Sequence, residues 1–486
     1  MSDELPQGWT HATIGDVAEG MKNGLYKPAS SYADDGVACL RMYNIGEGKI
    51  IWKNIKRMKL TPQEEQEYQL VPGDLLVNRV NSRELVGKAA VVPCNIERCV
   101  FESKNIRLRL RRDLVCPEFV NYKLLLSGSQ HFIHNAQQVV GMASISQPQL
   151  GAFELPLPPL AEQRRIIAKM EKLLGQVDAC RERLAKIPAL LKRFRQSVLA
   201  AACSGRLTED WRAENPADQT AAEIVETIRR RRQKEARTPA QQEKVGEIYS
   251  RDEENDSETL PSGWKFIALA KICESFDYGT STKSQSTGKV PVLRMGNIQN
   301  GKLDWNDLVY TSDEAEIDSY RLKPKTVLFN RTNSPELVGK TAIYIGQRPA
   351  IFAGYLIRVN HYPELDPEYL NFCLNTNYAR NFCESVKTDG VSQSNINAKK
   401  LGTFDVPFCR LGEQREIVKR VQKLLALADQ IEARFTEAKK RVDSITQSLL
   451  AKAFRGELVA TEYKLAKAEG RSFESAEQLL ERIKDN

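Results

Sequence analysis

Asn78-Arg79-Val80-Asn81-Ser82-Arg83-Glu84-Leu85-Val86-Gly87-Lys88 returns 252 residues later as Asn330-Arg331-Thr332-Asn333-Ser334-Pro335-Glu336-Leu337-Val338-Gly339-Lys340. The echo spreads in both directions. Leu5-Pro6-Gln7-Gly8-Trp9 reappears as Leu260-Pro261-Ser262-Gly263-Trp264, and Leu40-Arg41-Met42 with Asn44-Ile45 as Leu293-Arg294-Met295 with Asn297-Ile298. Residues 144–207 align without a gap onto 395–458, at a constant offset of 251. Solenoid repeats recur every 20–50 residues or so, far below this period. The chain is therefore a pseudo-twofold internal repeat: two copies of one globular module, each followed by one helical module.

The globular parts, about 10–155 and 265–408, read as mixed α/β (α+β). Apolar runs such as Asp74-Leu75-Leu76-Val77 and Ala89-Ala90-Val91-Val92 are bounded by Pro and Gly, as strands are. Residues 117–126 and 367–374 each predict a helix opening on proline. The helical parts carry sustained heptads. Met170, Val177, Leu184, Leu191 and Val198 recur every seven residues and interleave with Ile166, Leu173, Cys180, Ile187, Phe194 and Ala201. The second copy has Val421, Ala428, Phe435, Val442 and Leu449 with Ile417, Leu424, Ile431, Ala438 and Ile445. Such a pattern predicts a coiled-coil seam. Two such helices in one chain most simply pair with each other, as two long antiparallel coiled-coil helices. A helix over 163–201 spans roughly 58 Å at 1.5 Å per residue, and Pro188 is expected to kink it.

The expected division is 1–158 (first head), 159–207 (first long helix), 208–259 (helical tail and linker), 260–409 (second head), 410–458 (second long helix) and 459–486 (C-terminal helical tail). The linker carries Arg229-Arg230-Arg231-Arg232, which reads as a solvated basic helix or as a phosphate or partner contact.

A length of 486 residues exceeds one ordinary core, and 41% hydrophobic with 28% charged residues is a globular composition. No run approaches the ~20 apolar residues of a membrane span, and the N-terminus has no signal-peptide pattern, so a cytoplasmic location is expected. Ten cysteines lie scattered without a CxxC pair, which reads as reduced, mostly buried thiols. The net charge of +8 permits nucleic-acid binding without demonstrating it, and residues 1–155 balance 18 Lys+Arg against 17 Asp+Glu.

The chemistry of catalysis is hard to find. An adenine amino-methyltransferase would be expected to carry an Asn/Asp-Pro-Pro-aromatic string, and Asn215-Pro216-Ala217-Asp218 lacks its second proline and its aromatic. Gly339-Lys340-Thr341 resembles the end of a phosphate loop, but Ser334 stands where that loop needs glycine. No H-E-x-x-H or G-x-S-x-G occurs. His131 and His134 could share a helix face without a set of ligands to complete them. No catalytic residue, metal site or bound cofactor is expected in this chain.

Two similar heads on paired rigid helices suit a ligand with two sites at fixed separation, and duplex DNA offers grooves every 34–36 Å or so. Residues identical in both heads cannot be the main source of different half-sites. Arg79, Asn81, Ser82 and Lys88, with Arg331, Asn333, Ser334 and Lys340, are thus candidates for a role common to both heads, either phosphate contact or the shaping of a loop. Specificity belongs where the heads diverge. Gln137, Gln138 and Ser144 face Lys387, Thr388, Gln393 and Asn395 in the aligned copies. Gln and Asn can bond adenine in two places and Lys can bond guanine. A solvated loop is the alternative.

The Leu-Pro-x-Gly-Trp openings, the Asn81 and Asn333 loops ending in Glu-Leu-Val-Gly-Lys, and Pro159-Leu160-Ala161-Glu162-Gln163-Arg164 with Leu411-Gly412-Glu413-Gln414-Arg415 carry a family resemblance. The chain resembles type I restriction-modification specificity subunits over nearly its whole length. Cys409-Arg410 replaces the expected proline pair in the second copy. The resemblance implies a non-catalytic, phage-defence subunit whose two target-recognition domains read a bipartite, asymmetric DNA sequence. It implies two methyltransferase subunits carrying S-adenosylmethionine and modifying adenine. Two motor-nuclease subunits using ATP and Mg2+ would complete the restriction enzyme, in a bacterial or archaeal cytoplasm. Glu162, Gln163, Arg164, Glu413, Gln414 and Arg415 would open the surfaces on which the methyltransferase subunits dock. The competing readings are a self-contained methyltransferase or nuclease and a two-headed protein scaffold.

Overall fold

The structure, a computed structural model, describes residues 4–135, 137–139, 142–252 and 259–484. They form two compact units: one of Met1–Ala185 with Thr436–Asn486, the other of Lys186–Phe435. The division cuts both long helices, α1 (Leu160–Cys203) and α2 (Leu411–Phe454), so each unit combines one head with parts of both.

The first head centres on an antiparallel sheet in the order Ala89–Val91, Leu75–Asn78, Asn105–Leu110, Ala18–Asn23. The second head repeats it with Thr341–Tyr344, Thr326–Asn330, Leu356–His361 and Cys273–Tyr278. Leu75, Leu76, Val77, Ile106 and Leu108 are buried, and so are Val327, Leu328, Phe329, Ile357 and Val359. This is why these short apolar runs read as strands. Beside each sheet lies a smaller one containing a parallel pair: Val37–Leu40 with Cys99–Phe101, and Val290–Leu293 with Ile351–Phe352. The helix expected over 117–126 continues to Asn135, whereas its counterpart stops at Leu374 and restarts as Asn377–Val386 behind the Thr376 cap.

The repeated glycine of the Gly-Lys pair has a packing cause. Gly87 and Gly339 sit at φ +82° and +89°, and a Cβ there would lie 2.2 Å from the Phe132 ring and 2.5 Å from Cys383 Sγ. Neither conformation nor space admits a side chain. The resemblance to a phosphate loop ends there.

The first and last strands of each head, Thr10–Thr13 with Glu154–Leu157 and Lys265–Ala268 with Asp405–Phe408, pair antiparallel and deliver the chain to α1 and α2. At the start of α1 the buried Glu162 accepts a bond from Trp9 Nε1 at 3.0 Å and another from the Glu462 backbone N–H at 2.7 Å. At the start of α2 the buried Glu413 accepts from Trp264 Nε1 at 3.0 Å and Thr208 Oγ1 at 2.9 Å, and it also pairs with Arg212. Gln163 accepts from Cys116 N and donates to the carbonyls of Leu114 and Pro158. Gln414 does the same with Asp366 N and the carbonyls of Glu364 and Cys409. Each Glu-Gln pair thus ties its helix to its own head and to the tail that follows the other helix.

The helices run antiparallel within each unit. In the first, Arg165 reaches the Ala460 carbonyl, while Arg181, further along α1, reaches Thr446 Oγ1 on α2. In the second, Arg195 bonds Asp429 and Glu432 at 2.8 and 2.7 Å, while the Leu207 carbonyl meets Arg420. Pro188 does not end α1, which remains helical to Cys203. One heptad series is the more internal: Met170, Val177, Leu191, Val198, Val421 and Ala428 are buried, and Leu184, Phe435, Val442 and Leu449 are half-buried. The other departs from expectation in mid-helix, where Cys180, Phe194, Ile431 and Ile445 are exposed. The seam thins there and leaves apolar side chains on the surface.

The arginine run is not a free basic helix. Arg231 pairs with Glu364 at 2.6 Å, Arg232 donates to the carbonyls of Ala270 and Cys273, Arg229 lies over Tyr249, and Arg230 pairs with Glu226. It fastens the helix Ala221–Glu235 to the second head.

Glu162→Ala leaves the Trp9 indole N–H and the Glu462 backbone N–H without their acceptor, at about 1–3 kcal/mol for each buried group. Denaturant unfolding should show the loss, and a variant as stable as its parent would contradict the role given to Glu162. Burial, and then the nearby Glu462 carboxylate, push the Glu162 carboxyl above its ordinary range. A raised folded-state value favours the fold below the unfolded value and loses that contribution as pH rises through the raised one. The stability of the parent relative to Glu162→Gln should therefore be highest at acid pH and decline on that rise. Separately, Gly87→Ala and Gly339→Ala should each lower the melting temperature measurably through the strained φ and the collision together.

Candidate nucleic-acid interface

In each head the shared loop and the divergent segment, far apart in sequence, meet in one three-stranded sheet. Val80–Asn81 pairs with Met142–Ser144, which pairs with Gln137–Val139. Thr332–Asn333 pairs with Ser394–Asn395, which pairs with Thr388–Asp389. The register is the same, Val80 opposite Ser144 and Thr332 opposite Asn395. A frame of common residues therefore carries a ribbon that differs between heads.

The frame residues shape the loop. Arg79 donates to the carbonyls of Ile145 (3.5 Å) and Ser103 (3.4 Å). Arg331 donates to Gly354 O and Asn395 Oδ1, both at 3.3 Å, and its guanidinium lies 4.6 Å from the centre of the Tyr278 ring. Asn81 is buried, donating to Asn78 Oδ1 and accepting from Ser82 N. Asn333 likewise accepts from Ser334 N, and the Ser82 and Ser334 carbonyls close the turns that follow. Lys88 and Lys340 are half-buried, bonded to Ile45 O and Gln299 Oε1. Burial lowers the pKa of both, aided at Lys340 by Arg380. Of the two roles open to these eight residues, the bonds they make are those of loop shaping.

The ribbon residues differ in availability. The side chains of Gln137 and Gln138 lie outside the described residues, and Ser144 is half-buried opposite Gln137. Lys387 is held by Glu384 at 2.5 Å and faces Asp389, so its ammonium is already committed. Asn395 spends its amide on Arg331 and Thr332. Thr388 and Gln393 are exposed, Thr388 Oγ1 accepting from Lys400.

The six residues assigned to docking divide sharply. Glu162, Gln163, Glu413 and Gln414 are buried and fully occupied within their own units, so they offer no surface to a partner. Their repetition reflects an internal knot. Arg164 and Arg415 alone are exposed. The apolar surface of the helices lies further along, where Leu190, Phe194, Leu427 and Ile431 are 36–57% exposed.

Sequence reasoning missed several side chains on the same edge of each head. Gly24 donates to Asn105 O and Ser103 to Leu25 O, while Arg79 N donates to Lys104 O. These bonds bring Asn23, Tyr26 and Lys104 beside the frame. Thr280 N–Phe352 O and Arg331 N–Tyr355 O do the same for Tyr278, Ser281 and Tyr355. No sequence signal marks them, since their exposure and their place beside the frame appear only on folding. Among the described residues no group of three or more His, Cys, Asp or Glu is placed to hold a metal ion, and no helix is long and apolar enough to cross a membrane.

The profile of the Type I restriction modification DNA specificity domain matches residues 6–189 and 261–438, one match to each half of the repeat. The EcoKI specificity subunit of Escherichia coli K12 is 30% identical over 99% of this chain and 96% of its own length. The StySPI specificity subunit of Salmonella potsdam is 28% identical over 94% and 90%. Among solved structures, the HsdS subunit from Thermoanaerobacter tengcongensis shares the fold, with a TM-score of 0.56 and 19% identity over 93% of this chain and 98% of that one. A chain from a structure of type I R-M complex assembly has a TM-score of 0.64 at 19% identity, over 94% of this chain and 100% of that one. With both halves matched and a relative alike over nearly its whole length, this chain belongs to the family of type I restriction-modification specificity subunits.

Proposed function

We propose that this chain is the non-catalytic, sequence-specific DNA-binding subunit of a type I restriction-modification complex, each head reading one half of a bipartite, asymmetric target. The observation that carries the reading is the repeated three-stranded sheet, in which one common frame presents two different ribbons. A reader of two different half-sites needs this: the same placement on the duplex, with different side chains at the base edges.

Family membership supports the following reading of the partners. Two methyltransferase subunits supply S-adenosylmethionine and the adenine chemistry, and two motor-nuclease subunits supply ATP- and Mg2+-dependent cleavage, in a bacterial or archaeal cytoplasm. The exposed apolar residues of α1 and α2 fit the docking of the methyltransferase subunits better than the buried Glu-Gln pairs do.

Replacing residues 265–408 with the corresponding head of another specificity subunit should change one half-site and leave the other intact. Single-molecule sequencing of methylated adenine in cells carrying the chimera reads this directly, and a change in both half-sites would defeat modular reading. Phe194→Asp with Leu427→Asp should leave the isolated chain folded, because both side chains are already partly in water, yet abolish co-purification with the methyltransferase subunit. Retained assembly would remove this helix face from the interface.

A further inference from the structure

The duplication supplies an internal control for finding the residues that read sequence. Three segments of each head converge on one edge: the end of strand Ala18–Asn23 (Cys273–Tyr278), the turn before Asn105–Leu110 (Leu356–His361), and the ribbon sheet. Equivalent main-chain bonds fix the correspondence. Leu25 N–Phe101 O matches Thr280 N–Phe352 O, and Arg79 N–Lys104 O matches Arg331 N–Tyr355 O. Position 26 thus corresponds to 281, and 104 to 355. At each the backbone is held alike while the side chain differs in kind: Tyr26 against Ser281, Lys104 against Tyr355.

These side chains have no structural employment that explains them. Tyr26 is 81% and Tyr355 47% exposed, large rings left in water where a core would have taken them. Lys104 is half-buried, and its side chain makes no ion pair or hydrogen bond among the described residues, although its carbonyl is bound by Arg79 N, Val80 N and Asn78 Nδ2. Tyr278, by contrast, is occupied: it stacks under Arg331 and its hydroxyl accepts from Ala398 N. An exposed tyrosine offers an apolar face for a thymine methyl and a hydroxyl for a base edge. A free lysine offers a donor for guanine.

We infer that Tyr26 and Lys104 in the first head, and Tyr355 in the second, are specificity-determining residues that contact base edges of the half-site their head reads. The inference rests on the DNA-reading function proposed above and assigns positions that the ribbon alone would not. The shared backbone sets where each side chain stands on the duplex, and the differing side chain sets which base is accepted there.

The test uses the full chain assembled with its methyltransferase subunits, on duplexes carrying the preferred sequence or single base-pair substitutions in either half-site. Tyr355→Ala should reduce discrimination by about tenfold at one or more base pairs of one half-site, leaving the other unchanged. Tyr26→Ala and Lys104→Ala should do so only at the other half-site. Tyr355→Lys, which imports the other head's residue at a half-exposed position, should shift the preferred base instead of abolishing binding. Equal weakening on every duplex would make these residues phosphate contacts, and unchanged discrimination would make them bystanders; either overturns the inference. A parent complex with no preferred duplex would instead sink the DNA-reading function itself.

Discussion

Two buried carboxylates hold this protein in its form. Glu162 and Glu413 each stand at the first turn of a long helix, out of water, and each accepts the indole N–H of the tryptophan that opens its own head. Each also receives a group from the tail that follows the opposite helix: the backbone of Glu462 in one unit, Thr208 and Arg212 in the other. A buried carboxylate is costly unless its lone pairs are filled, and here they are filled from two different parts of the chain, the head and the opposite tail. The cost of leaving any of them empty ties head, helix and tail together in the folded state. A hydrophobic residue at either position could fill the space but could not demand those partners.

Much of this was legible in the sequence, because repetition and period are properties a sequence displays directly. The helices appeared where seven-residue spacing placed them, and strands such as Leu75–Asn78 where short apolar runs met turn residues. Environment was less legible. Glu-Gln-Arg looks like a polar surface motif, yet two of its three members point inward, since an acidic side chain paired with a distant indole is written identically to one in water. The arginine run carried the same ambiguity and resolved the same way, through Glu364 and main-chain carbonyls distant in sequence. Heptad periodicity also overstated the seam, for spacing records which residues share a face but not how much of it a neighbour covers.

The candidate site shows the same division between local and non-local information. Comparing copies sorts residues into common and divergent sets, but only folding shows that they lie on adjacent strands. It also shows that Asn395, Lys387 and Arg331 spend their polar groups internally, leaving Thr388 and Gln393 turned outward. A duplicated reader has a simple physical logic. The common residues are invested in geometry, because a shift of the ribbon by one residue would present the wrong face to the duplex. Differing residues such as Gln393, whose side chain stands exposed without structural bonds among the described residues, are the ones free to vary with the target.

The central claim is that one edge of each head, made of the ribbon sheet and its two neighbouring turns, meets one half-site. Photo-cross-linking states this most directly: the complex is irradiated on duplexes carrying 5-iodouracil at single positions, and the attached peptides are sequenced. Bases of one half-site should attach to peptides of the first head from around residues 23–26, 103–104 and 142–144, and bases of the other to peptides around 278–281, 354–355 and 388–395. Attachment to the long helices, or of one half-site to both heads, would contradict the account.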